Sequence, residues 1–337
     1  VAAAIAFAAV AIAGIVVLDF GADQAITSWS YLTIAALGVA FVVYAAVEYA
    51  QTRRLESITR QFDTRTWVLI PIAIAFNIIL GQAVGAALKI PIYLDSIGTI
   101  LVGALAGPIP GALTGLLANL LWTFVLPPPF HNDYSGAFAV VAAVIGLLAG
   151  SYSRFGWLRP RPTKDTGRLA IGALVAIGVI LVLGWLAFLG WQTILGDISF
   201  APSGDTLLVI LAVLAMVVVV GTALGLAAIL FVRRDLTAAY VVIAGVITGI
   251  IAAIMSAPIS ANLFSGVTGA GTDFLVAAFR QAGADIQSAT LGQGLISDPI
   301  DKVITFAVVY VILGAMARRT KARFPQGERL VDAEATA

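Results

Sequence analysis

Ten long apolar stretches alternate with polar connections along the 337-residue chain, at roughly 1–19, 31–50, 66–88, 95–107, 110–126, 135–152, 168–190, 206–232, 238–257 and 299–317. A helix of about 20 apolar residues crosses a bilayer. The pattern therefore predicts an all-α polytopic membrane protein with about ten transmembrane helices. The fourth and fifth stretches are short, and Gly107-Pro108-Ile109-Pro110 separates them. Such segments persist in a membrane where neighbouring helices shield their ends. Val1–Leu18 has the apolar character of a signal-peptide core, but it is long for one and no basic region precedes it, so it reads as a span.

Composition agrees with this pattern. The chain is 61% hydrophobic and 11% charged, against about 45–50% and about 25% in soluble domains. Mean hydropathy is +1.03. These values exclude a water-soluble enzyme and a disordered chain. The absence of cysteine excludes disulfides, thiol nucleophiles and cysteine metal sites, and the single histidine excludes a multi-histidine centre. A formal net charge of +1 gives no case for nucleic acid. No metal cluster, nucleophile-with-base pattern or ATP motif stands out, so neither catalysis nor a cofactor is expected.

Basic residues set the orientation. Arg53, Arg54, Arg60 and Arg65 follow the second stretch, and Arg154, Arg159, Arg161, Lys164 and Arg168 mark the end of the sixth. Arg233 and Arg234 follow the eighth, and Arg318, Arg319, Lys321, Arg323 and Arg329 follow the last. Of the 19 basic residues, all but Lys89, Arg280 and Lys302 fall on one side of a ten-span arrangement. That side is read as cytoplasmic, with both termini on it and the protein integral to the cytoplasmic membrane. The chain divides into an N-terminal transmembrane hairpin (1–50), a basic cytoplasmic linker (51–65), a substrate-binding membrane domain (66–317) with an inserted helix pair (168–232), and a polar, unstructured cytoplasmic tail (318–337). Glu48 is expected to pair with Arg53 and Arg54.

Unusual polar residues gather on the external side. The first group is Lys89-Ile90-Pro91-Ile92-Tyr93-Leu94-Asp95-Ser96. Asp95 reads either as a cap at the following helix N-terminus or as a ligand-facing carboxylate. The second group is Asn119 and Trp122, three apart and so on one helix face, with Pro127 to Tyr134 behind them. Trp122 reads as an interfacial anchor or a ring-stacking wall, and His131 as a solvated loop residue. The third group runs from Ser256 through Asn262, Gly266, Gly269, Gly271 and Asp273 to Lys302, and reads as a structured cap of some forty residues over an external cavity. Gly269 to Thr272 have the composition of a backbone anion cradle. Ser297 and Asp298 before Pro299 fit a helix N-cap, and Asp301 and Lys302 can neutralise each other. In the third stretch Asn77 and Gln82 need buried partners, and Gly81-x-x-x-Gly85 with Ala83-x-x-x-Ala87 forms a flat small-residue face for packing or for a partner.

At these motifs the chain resembles the substrate-binding S component of energy-coupling factor (ECF) transporters. The resemblance lies in the Ala83-x-x-x-Ala87 face running into Ile90-Pro-Ile-Tyr-Leu-Asp-Ser-Ile-Gly-Thr-Ile100, in Gly103 to Gly115 with Asn119 and Trp122, and in the Asn262–Asp273 cap with Gly294 to Lys302. It implies a six-helix core, formed by stretches three to six plus nine and ten, with two additional helix pairs. It implies capture of a vitamin or similar small molecule from outside, and association with a membrane T component and two cytoplasmic ATPases. Carried over residue by residue, it implies substrate contacts at Tyr93, Asp95, Asn119, Trp122, Asn262, Asp273 and Asp298. It implies a partner interface at Gly81, Ala83, Gly85 and Ala87. The chain departs from the family in its extra helices. A stand-alone secondary transporter is the alternative reading, and a ligand-binding membrane sensor the third. The carboxylates hint at a ligand with a cationic or hydrogen-bond-donating group, and Trp122 and Tyr93 at a ring.

Overall fold

A computed structural model describes residues 1–18, 25–83, 93–195 and 206–331. Among them the regular elements are helical, and the β structure is one isolated bridge between Pro162 and Asp235. The helices are α1 (Ala2–Val17), α2 (Ala25–Thr52), α3 (Glu56–Thr59), α4 (Thr64–Leu80), α5 (Ile97–Ala106), α6 (Pro108–Phe124) and α7 (Ala139–Arg154). They continue with α8 (Thr166–Leu195), α9 (Thr206–Phe231), α10 (Thr237–Phe264), α11 (Asp273–Gln281), α12 (Ile286–Ala315) and α13 (Arg318–Ala322). Four helical segments are long and apolar enough to cross a membrane: Ala25–Thr52, Thr64–Ala83, Ser135–Arg154 and Thr237–Phe264. Shorter apolar stretches lie at Ala2–Val17, Ile97–Ala106, Thr166–Val182 and Val217–Phe231. This is the make-up of an all-α membrane protein.

Small residues let the central helices touch backbone to backbone. Gly103 of α5, Gly111 of α6 and Gly146 of α7 meet at one point. A Cβ added to Gly111 would lie 2.7 Å from both the Gly103 Cα and the Gly146 carbonyl oxygen. Gly107 joins α5 to α6 at φ +130°, a conformation reserved for glycine, and Pro108 then opens α6, where its missing N–H costs nothing. The most extensive pairing is α10 with α12. Gly245 sits beneath Val303, and Gly249 beneath Pro299. Around this seam Val241, Val242, Phe306 and Val309 are fully buried. Asn77 of α4 meets its need for partners by accepting from the Gly98 N–H (2.6 Å) and donating to Thr99 Oγ1 (2.8 Å).

The basic segments are knitted together at one end of the bundle. Arg65 donates to the Arg323 carbonyl (3.0 Å), Arg329 to that of Arg154 (2.7 Å), Arg159 to that of Val331 (3.1 Å) and Arg234 to that of Lys164 (2.9 Å). The connections 93–96, 125–134, 265–272 and 282–285 lie at the other end.

Several expectations change. The described part of the stretch after Ala317 is structured: α13 and a 3-10 turn at Gly327–Leu330 bury Lys321 and Leu330, and the Gln326 N–H donates to the Leu105 carbonyl (2.8 Å). Glu48 does not pair with Arg53 or Arg54; its carboxylate accepts from the Ser57 N–H and hydroxyl, because α2 turns back through α3. The expected forty-residue cap shrinks. Helix α10 runs through Pro258 to Phe264 and α12 begins at Ile286, leaving α11 and two short connections.

The glycine contact yields a direct test. Gly146→Ala should destabilise the protein by about 1–3 kcal/mol through overpacking, because its Cβ would run into the Gly111 backbone. Gly38→Ala, with nothing within 4 Å, should be neutral or slightly stabilising. Thermal unfolding of both variants in detergent measures the contrast.

Candidate functional site

At the end away from the basic segments, a cavity of about 170 Å³, open to solvent, lies among the 93–96 connection, the end of α4, α6, α7, α10 and α12. The end of α4 sets one wall. Residues 81–83 continue it as a π-helical turn, a distortion frequent at functional sites. Gly81 here packs against the ring of Trp122 and the Cβ of Asp95. Any side chain at this position would push both from the cavity wall.

The polar floor is built around α12. The Asp301 carboxylate is fully buried. Its Oδ1 accepts from the backbone N–H groups of Tyr93 and Leu94, both at 3.0 Å, and its Oδ2 from Lys302 Nζ at 2.5 Å. Leu94 is left-handed (φ +51°), a conformation that costs a non-glycine residue about 1–2 kcal/mol. The carboxylate clamps the connection in that shape. Lys302 also donates to Ser96 Oγ (3.0 Å) and lies 3.9 Å from Asp95 Oδ1. Beside it, Gln293 donates to Ser297 Oγ (2.7 Å), Ser297 donates to Asp298 Oδ1 (3.1 Å), and Ser256 of α10 lies 3.5 Å from Asp298 Oδ2.

Aromatic rings complete the walls. Tyr134 packs edge-on against Phe264 (5.1 Å between centroids), and Phe138 packs on the same ring (5.9 Å). Tyr93 shares a 2.6 Å hydrogen bond with Thr272. Burial first, then the nearby Asp298 charge, pushes its phenol well above the ordinary range, so it stays protonated. Trp122 is 4% exposed, and its indole N–H has no partner among the described residues.

Tyr93, Asp95, Asn119, Trp122 and Asp298 all line this one cavity, although they come from separate elements. Asn262 and Asp273 do not line it. Asn262 accepts from Gln287 (2.7 Å) across the α10–α12 opening. Asp273 accepts from the N–H groups of Thr268 (2.9 Å) and Gly269 (2.8 Å) and from the Thr268 hydroxyl (2.9 Å). The expected anion cradle is thus occupied from within, by the protein's own carboxylate. Asp273 acts on the site indirectly, since Thr268, Gly269 and Ala270 form part of the cavity lining.

Asp298 is not an N-cap. Helix α12 is continuous through Pro299, and Asp285 caps its start by accepting from the N–H groups of Gln287 and Ser288. Asp95 makes no side-chain cap either; α5 begins after Ser96 without one. Gly81 faces the cavity rather than the outside of the bundle, Ala83 is exposed, and Gly85 and Ala87 fall outside the described residues. His131 pairs with Asp133 at 2.8 Å, near the surface. Sequence reasoning missed Gln293, Ser256, Tyr134 and Phe138 as site residues. Gln293, Ser297, Asp298 and Lys302 recur at helical spacing, a signal hidden by placing the start of the helix at Pro299.

Removing one partner of a buried ion pair leaves an uncompensated charge. Asp301→Asn should therefore cost about 3–5 kcal/mol, and loosen the 93–96 connection. Thermal unfolding and protease cleavage near Tyr93 measure the two effects; an unchanged melting temperature would contradict the clamp.

Comparisons with protein-family models, curated proteins and solved structures gave no match.

Proposed function

We propose that this chain is the membrane-embedded substrate-binding subunit of an ATP-driven ECF-type importer, with about ten transmembrane helices and both termini in the cytoplasm. The observation that carries the reading is the cavity: open at the end opposite the basic segments, polar at its floor and aromatic at its walls. Under the positive-inside rule, that opening faces outward. A capture subunit needs such a site and no engine of its own. The captured molecule is a vitamin or similar micronutrient, by resemblance to the ECF S components.

The outer face of α4 suits a membrane partner. Val68, Ile72, Phe76 and Ile79 are exposed there at helical spacing, and Ala83 continues the stripe. The T component would pack on this face, with two ATPases on the cytoplasmic side.

One observation favours a stand-alone secondary transporter as the second reading. Asp298, Asp301 and Lys302 are buried near the middle of α12, around Pro299. Ionisable residues inside a membrane helix often mark ion or proton pathways.

Mild-detergent capture of the tagged protein from its native membranes, followed by uptake in vesicles, separates the two. The importer reading expects an integral subunit and two ATPases in near-equal amounts, with uptake that needs ATP and survives a protonophore. Solitary capture with protonophore-sensitive uptake would sink it. Ala83→Trp should lower co-capture by about tenfold or more, as for a bulky change within an interface, with small-molecule binding unchanged.

A further inference from the structure

The charges around the cavity do not cancel. Asp95, Asp298 and Lys302 line it, and Asp301 lies directly behind. Asp301 is used up, its oxygens holding two backbone N–H groups and the Lys302 ammonium. Lys302 is thereby neutralised, and its 3.9 Å approach to Asp95 is a second, weaker contact. Asp298 is 8% exposed; among the described residues its hydrogen-bonding neighbours are the hydroxyls of Ser297 and Ser256, and the nearest cation acting on it is the already paired Lys302. Among the described residues Lys302 is the only cationic side chain on the cavity wall. A buried carboxylate whose nearest cation is already paired either takes up a proton or is stabilised by a cation that enters the cavity.

A second, independent feature points to the same space. Trp122 lines the cavity, and its indole N–H, a donor only, is buried with no acceptor among the described residues. Apolar side chains of Phe138, Val141 and Ile145 line the α7 side. The described residues include no cluster of three His, Cys, Asp or Glu side chains arranged to hold a metal ion, and the apolar and aromatic lining suits an organic cation.

On this basis, and resting on the capture-subunit reading, we propose that the cavity binds a small organic cation: an ammonium or amidinium group against Asp298 and Asp95, carried on a ring that packs against Phe138 and Tyr134. Aromatic faces reinforce the preference, because a cation is attracted to the ring quadrupole.

The test uses the full chain in detergent and three probes of one shape and different charge: benzylammonium, benzyl alcohol and benzoate. Binding is read by ligand-observed NMR and by thermal shift. Benzylammonium should bind saturably, and the neutral and anionic probes should not. Asp298→Asn should weaken benzylammonium by about 100-fold, as for loss of one partner in a buried charge pair. Asp95→Asn gives the same readout where Asp298→Asn does not fold. Equal or tighter binding of benzyl alcohol or benzoate, unchanged affinity in a folded carboxylate variant, or no saturable benzylammonium binding by the folded protein would each overturn the proposal. Co-capture of the ATPases does not depend on ligand charge. A neutral preference with intact co-capture thus removes the cation assignment and leaves the importer reading standing, and the converse result removes the importer reading alone.

Discussion

The floor of the cavity hangs on one buried ion pair. Asp301 and Lys302 lie side by side on α12, largely removed from water, at a substantial cost in desolvation. The cost is offset because neither group is spent on the other alone. Asp301 also fixes the Tyr93 and Leu94 backbone, and Lys302 also reaches Ser96 and approaches Asp95. The pair therefore does less for net stability than for geometry. It sets where the connection into α5 lies relative to α12, and so where Asp95 and Tyr93 stand relative to Asp298.

The bundle divides into a tight part and an open part for a simple steric reason. Where α5, α6 and α7 meet at Gly103, Gly111 and Gly146, no side chain separates the backbones. The same holds where α12 crosses α10 at Gly245 and Gly249. At the cavity end, large residues replace glycine: Trp122, Tyr134, Phe138 and Phe264 hold the helices apart, and the cavity is the space between them. Its roof is held by polar ties that share few residues with the floor, namely Asp273 with Thr268 and Gly269, and Tyr93 with Thr272. The opposite end is built differently. There, arginine side chains cap carbonyl groups of neighbouring segments and close the bundle.

Much of this was legible from the residues in order. Apolar runs of spanning length, the one-sided arginines and the absence of cysteine fixed the class, since each depends on local composition or on a count. The helical break at Gly107-Pro108 was equally local. Tyr93, Asp95, Asn119, Trp122 and Asp298 stood out because polar or aromatic residues amid apolar helices need a reason, and the cavity brings them together. What failed also has a physical cause. Pro299 looked like a helix start, yet α12 runs through it because Gly249 gives that turn room against α10. Asn262 and Asp273 had the right chemistry, but nearby donors had already taken their oxygens. Local sequence alone thus determined which segments are helical and apolar and where the chemistry is concentrated. The tertiary structure decided which carboxylates face the cavity, which are consumed by their neighbours, and that Lys302 is spoken for. Those outcomes depend on distances of 3–4 Å between residues as far apart as Tyr93 and Asp301, and no local pattern carries that information.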